Sequence, residues 1–276
     1  MSSFSRFKGA EKYIADDGLM ADVNAAIALK RPLLVRGEPG TGKTSLAHAI
    51  AESLDMPLMT WHIKSSTSAK EGLYEYDVVQ RLNDSRFGDG AVSDISGYIK
   101  LGVMGRAFSA EEPVILLIDE IDKADVEFPN DLLRELDEMA FYIPEIDKTI
   151  KAVQRPITII TSNAEKELPD AFLRRCVFHY IKFPEPDRIR RIVDAHLPGL
   201  DIELIEAGIA RFYGLRKVNG LRKKPSTSEL LDWLLVLARA GANPDDIANR
   251  MPYLGTLIKQ ERDLELLSKK RWGGIR

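Results

Sequence analysis

The chain has 276 residues, 45% hydrophobic and 29% charged, the balance of an ordinary soluble globular protein with one large domain or a core domain plus a smaller one. A formal net charge of −3 offers no global field for nucleic acid or an anionic membrane. Cys176 is the only cysteine, which excludes internal disulfides and cysteine-based zinc clusters. No stretch approaches the roughly 20 apolar residues that cross a bilayer, and Met1–Ala10 has no apolar signal-like core, so a cytoplasmic protein is expected. His48, His62, His179 and His196 lack metal-ligand spacing and read as structural.

In chain order, residues 16–30 have helical spacing, with Leu19, Val23, Ala26 and Ile27 on one side. Residues 32–35 read as a buried strand, 45–54 as an amphipathic helix and 57–63 as a second strand ending in the polar cluster Lys64–Ser68. That cluster is placed either to couple a catalytic carboxylate to client binding or to be a solvated strand end. Over 69–110 the pattern weakens to helices near 76–83 and 98–108, with a glycine turn at 87–90 between them. A loop of that length is unusual without structure, so a helical insertion is expected. Residues 113–118 form the most apolar strand, and 128–139 read as a helix starting at Pro129. A hairpin is expected at about 141–153, a fourth strand at 156–160, a short helix at 169–175 and a fifth strand at 177–183. Alternating strands and helices predict an α/β fold, a parallel sheet with helices on both faces. Beyond Pro184-Glu185-Pro186 only helices are expected: 187–196, 202–212, 227–240 and 253–267. The domains are therefore expected at 1–184 and 185–276.

The stretch Gly37-Glu38-Pro39-Gly40-Thr41-Gly42-Lys43-Thr44 matches G-x-x-x-x-G-K-[ST] between a strand and a helix. Its glycines let backbone N–H groups turn inward onto phosphate oxygens, and the helix that opens at Ser45 adds partial positive charge. Lys43 supplies a point charge for the β- and γ-phosphates, and the Thr44 hydroxyl is placed to ligate Mg²⁺. A plain glycine-rich turn would need none of these in register. Binding of a nucleoside triphosphate follows.

Asp119 ends the strand Ile115-Leu116-Leu117-Ile118, the Walker B strand of a P-loop fold, where its carboxylate would hold Mg²⁺. Glu120 is positioned to polarise the attacking water. Asn163 ends the next strand, and its amide can serve both γ-phosphate and water or else cap the following turn. Arg174 and Arg175 close a short helix; either is a candidate arginine finger for a neighbouring subunit, or both are cations at a helix C-terminus.

P-loop, Asp-Glu strand, Asn-ended strand, Arg-Arg pair and helical C-terminal lid, in that order, resemble the AAA+ ATPases. The resemblance spans about residues 16–267. The insertion at Glu71–Leu82 and the segment Phe128–Glu145 are most similar to the MoxR-type branch. Resemblance implies ATP hydrolysis in a homo-oligomeric ring, usually a hexamer, with ATP and Mg²⁺ at subunit boundaries. It also implies remodelling or maturation of a protein client, often beside a von Willebrand factor A domain partner. The chain departs from the family where the lid usually offers a second sensor arginine. Here Pro225-Ser226-Thr227-Ser228-Glu229 places a glutamate, which reads as a helix N-terminus, and Arg222, Lys223 or Lys224 could stand in. Competing readings are a nucleic-acid motor or loader using the basic runs 211–224 and 269–271, a nucleotide-gated scaffold and a small-molecule kinase. Near-neutral charge argues against the first, and an intact Glu120 and Asn163 against the second.

Overall fold

The computed structural model describes residues 7–87 and 94–269; the expected glycine turn at 88–90 and the basic tail at 270–271 lie outside them. Asp16 starts α1 (Asp17–Leu29), its carboxylate accepting the Leu19 N–H at 2.8 Å. β1 (Leu33–Gly37), α2 (Lys43–Leu54) and β2 (Leu58–His62) follow. Next come α3 (Ala69–Leu73), β3 (Tyr74–Tyr76), α4 (Val78–Phe87), β4 (Ile99–Leu101) and α5 (Val103–Ser109). β5 (Ile115–Asp119), α6 (Phe128–Asp131) and α7 (Leu133–Glu138) lead to a hairpin of β6 (Ala140–Ile143) and β7 (Lys148–Lys151). β8 (Ile157–Ser162), α8 (Asp170–Leu173) and β9 (Val177–Ile181) complete the α/β part.

Five of these strands form one sheet in the order β2-β5-β8-β1-β9, every neighbouring pair parallel. Parallel pairing needs crossovers, and the intervening helices supply them. Every residue of β5 is buried, as its unbroken apolar run requires. The register sets Ile118 beside Ile160 and His62 beside Asp119. The polar residues that end β2, β5 and β8 therefore meet at one edge. Helices pack beneath through Met104, Phe108, Phe128 and Leu136, with the Trp61 and Phe128 rings edge-on at 5.6 Å.

Two readings of the α/β part change. Residues 128–139 are two short helices rather than one, because the buried Leu132 lies at φ −93°, ψ −6° and turns its N–H onto the Asn130 carbonyl. The insertion is not purely helical. β3 and β4 pair antiparallel, Tyr74 with Leu101 and Tyr76 with Ile99. Three-residue strands are too short to show a period in the sequence.

The C-terminal part consists of α9 (Pro186–His196), α10 (Ile202–Arg216), α11 (Thr227–Arg239), α12 (Pro244–Asn249) and α13 (Glu261–Lys269). The helix expected at 253–267 is broken. Tyr253 is left-handed at φ 59°, a 3₁₀ turn covers Leu254–Thr256, and the helix starts only at Glu261. Trp233, fully buried, donates its ring N–H to the Pro252 carbonyl at 2.7 Å and packs with Phe212, Leu234 and Leu267. Among the described residues no helix is long and apolar enough to cross a membrane.

The chain divides into two compact units. The described parts of Met1–Ala10, Ala15–Gly37 and Lys43–Ile181 form the first, and those of Glu11–Ile14, Glu38–Gly42 and Lys182–Arg276 the second. Within the second, Asp263 is buried at 2% exposure and accepts the backbone N–H groups of Arg222 at 2.9 Å and Lys223 at 3.1 Å. Asp263→Ala should strand both donors and cost about 1–3 kcal/mol of stability, read by denaturant unfolding. A midpoint equal to wild type would show that the loop does not depend on this carboxylate.

Candidate active site

The strand ends of the first unit carry a connected set of side chains. Asp119, 6% exposed, accepts at Oδ1 from the Thr161 hydroxyl at 2.7 Å and the Thr44 hydroxyl at 3.0 Å. His62 Nδ1 lies 3.2 Å from the other oxygen, as the β2–β5 register dictates. Thr161 is fully buried, and its oxygen also accepts the Glu120 N–H at 2.8 Å. One threonine thus fixes both members of the Asp-Glu pair.

Glu120 leaves the strand in the left-handed region, φ 60° and ψ 51°. A non-glycine residue there is strained by about 1 kcal/mol or more, a cost that persists when neighbours hold it. Here the Thr161 bond does so, together with the carboxylate's own contacts. Asn163 Nδ2 donates to Glu120 Oε1 at 3.0 Å, and Lys123 forms an ion pair with Oε2. The hydrogen bond to Glu120 raises the Lys123 pKa above its ordinary value. Asp122, 2% exposed, accepts the N–H groups of Asn163 at 3.3 Å and Glu165 at 2.8 Å, and so pins the loop that carries Asn163.

Lys43 opens α2 and donates to the Gly37 carbonyl at 2.9 Å. Burial lowers its pKa, and the carboxylates of Asp122, Glu120 and Asp119 oppose that shift. A cation 6% exposed beside three carboxylates suits a dense anion charge. Between Gly37 and Lys43, the loop tip belongs to the second unit. Gly40 and Gly42 take φ +73° and +87°, conformations L side chains rarely adopt, while Thr41 bonds the Glu38 carbonyl through both its N–H and its hydroxyl. Pro39 needs no donor in that turn. Ser45 follows Thr44 in the first turn of α2.

The two arginines differ. Arg175 is held by its own chain, donating to Asp137 at 2.5 Å and to the Ala171 carbonyl at 2.8 Å. Arg174 is exposed, and its guanidinium makes no hydrogen bond or ion pair among the described residues. Neither is bonded to Asp119, Glu120 or Asn163. The cluster at 64–68 makes local bonds: Thr67 Oγ1 accepts the Lys64 N–H and Ser68 pairs with Glu71 to start α3. The Glu120 carboxylate bonds to Asn163 and Lys123, not to that cluster. Glu229 forms a capping box with Ser226, and Lys223 lies 3.4 Å from its carboxylate.

Sequence reasoning missed Thr161, Lys123, Asp122, His62 and Arg216. His62 and Thr161 were visible only as polar residues near strand ends and Asp122 and Lys123 as part of the turn after β5, and the strand order that joins them is not written locally.

A family model for the ATPase family associated with various cellular activities (AAA) matches residues 33–184, more than half of the 276. The chain belongs to the AAA ATPases. The matched span runs from β1 to just past β9 and takes in the whole strand-end constellation. Membership indicates an ATPase of the AAA+ type, whose domains commonly assemble as oligomeric rings. The parallel five-stranded sheet with a helical C-terminal part is the architecture of that class. A comparison with curated proteins found no match.

Proposed function

We propose that this AAA protein hydrolyses ATP with Mg²⁺, and that the connected group Thr44–Asp119–Thr161–Glu120–Asn163 carries the chemistry. A hydroxyl and a carboxylate 3.0 Å apart form a hard-oxygen pair that suits Mg²⁺, which usually takes only one or two protein ligands beside phosphate and water. Thr44 and Asp119 would hold the ion, which when bound offsets phosphate charge. The residues divide the remaining work. Lys43 binds the β- and γ-phosphates, while Gly37 to Thr44 with Ser45 wrap them in backbone N–H groups. Glu120 takes the proton of the attacking water, and Asn163, already bonded to that carboxylate, orients water and γ-phosphate together. Arg174 is the cation left to act across a subunit boundary.

On the same footing we assign the protein to the MoxR-type branch, as a ring, hexameric by that resemblance, that remodels or matures a protein client beside a von Willebrand factor A domain partner. The support is the insertion between β2 and β5 and the β6–β7 hairpin that precedes the Asn strand. A nucleic-acid motor is disfavoured because, in the basic run 211–224, Arg216 and Lys223 already pair with Glu38 and Glu229. The carrying observation is the Asn163–Glu120–Thr161–Asp119 chain of bonds. Its test is turnover against protein concentration. Lys43→Ala should abolish hydrolysis, and the wild-type rate per subunit should rise with concentration as boundaries form. Undiminished hydrolysis by Lys43→Ala would refute the assignment.

A further inference from the structure

Glu38 is an odd residue for its place. It is the second residue of a loop that gathers N–H dipoles around an anion, and its carboxylate is a like charge to any phosphate held there. A residue of the same compact unit meets that charge. Arg216, at the end of α10, lies with its guanidinium carbon 3.3 Å from the centre of the Phe183 ring, and its side chain is only 10% exposed. One arm donates to the Pro225 carbonyl and the other to Glu38 Oε2 at 2.7 Å. A largely desolvated guanidinium needs an anion, and ring stacking plus a fork of donors hold it in one orientation. Glu38 is 47% exposed, so the pair is solvated on its side and desolvated on the Arg216 side.

A second contact fixes the same loop. A Cβ built on Gly40 would lie 2.2 Å from the Ser226 Cβ, and Ser226 is the N-cap of α11. The loop tip therefore rests on the end of one helix and the start of the next. At the position where the lid usually offers an arginine, this chain has Glu229 engaged in capping Ser226.

We propose that Arg216 is a positioning residue for nucleotide binding: it neutralises Glu38 and sets the phosphate loop's tip. The inference rests on the nucleotide reading above and deepens it. Removing Arg216 should take the 2.7 Å cation from a carboxylate that belongs to the phosphate loop, whereas removing both charges should relieve that imbalance.

The test is a double-mutant cycle on the full chain, with the Kd of a fluorescent ATP analogue and the KM and kcat of ATP hydrolysis measured for each protein. Arg216→Met should raise Kd and KM about tenfold with kcat nearly unchanged, as expected for a loss of binding shared by ground and transition states. Once Glu38→Gln is present, Arg216→Met should cost little, so Arg216→Met/Glu38→Gln should bind about as tightly as Glu38→Gln alone and more tightly than Arg216→Met. A purely structural Arg216 would give a double variant as weak as Arg216→Met, and that result overturns the proposal. If Arg216→Met does not fold, Arg216→Lys carries the test. It keeps the charge but not the fork, so KM should rise severalfold, and an unchanged KM overturns the proposal. Wild-type protein that binds no nucleotide overturns both readings. Binding lost in Lys43→Ala but intact in Arg216→Met overturns only this one.

Discussion

Glu120→Gln is expected to lower ATP turnover by about 10²–10⁴-fold while leaving ATP affinity unchanged, the size of effect that follows loss of a positioned general base. The substitution is close to isosteric and keeps the Asn163 contact, because a side-chain carbonyl oxygen still accepts from Nδ2. It also keeps the backbone bond to Thr161, which does not involve the side chain. What disappears is the negative charge paired with Lys123 and the capacity to take a proton. Binding should survive because Lys43 and Thr44 are untouched, and the opposing charge beside Lys43 falls by one. Single-turnover hydrolysis and equilibrium binding separate the two effects. Steady hydrolysis at the wild-type rate would remove Glu120 from the mechanism.

Arg174→Ala should cost about 10³-fold or more in turnover, the lower end of what an arginine finger contributes, while Arg175→Ala should act on stability instead. The two side chains were indistinguishable as a sequence. Their surroundings separate them, for Arg175 is committed to Asp137 and Ala171, and Arg174 to no described residue. Losing the partly exposed Arg175–Asp137 pair should cost on the order of 1 kcal/mol at most. The decisive measurement mixes subunits. Lys43→Ala protein cannot bind ATP productively, and Arg174→Ala protein cannot supply the finger. A mixture should regain part of the activity if Arg174 serves its neighbour's site. No recovery at any ratio would show that Arg174 works within its own chain or not at all.

The sheet was legible because its strands are nearly unbroken apolar runs that end on polar residues, as 115–119 shows. Most helix starts were legible too, since Asp16 and Ser226 are strong capping residues. What stayed hidden depends on pairings remote in the chain. Thr161 reads as an ordinary strand residue until β8 lies beside β5 and its hydroxyl meets Asp119, 42 residues away. Arg216 reads as one of several cations in a basic run, yet its partner Glu38 lies 178 positions earlier. The broken helix at 253–267 failed for a local reason. A helical spacing of apolar residues cannot reveal that Tyr253 takes a left-handed backbone.

The left-handed backbone at Glu120 places fold and chemistry in opposition. Glycine is the residue that relaxes at φ 60°, so the substitution easiest on the main chain is also one that deletes the carboxylate. At this position selection for robustness alone would drift toward an inert protein, and only a demand for turnover keeps glutamate in place.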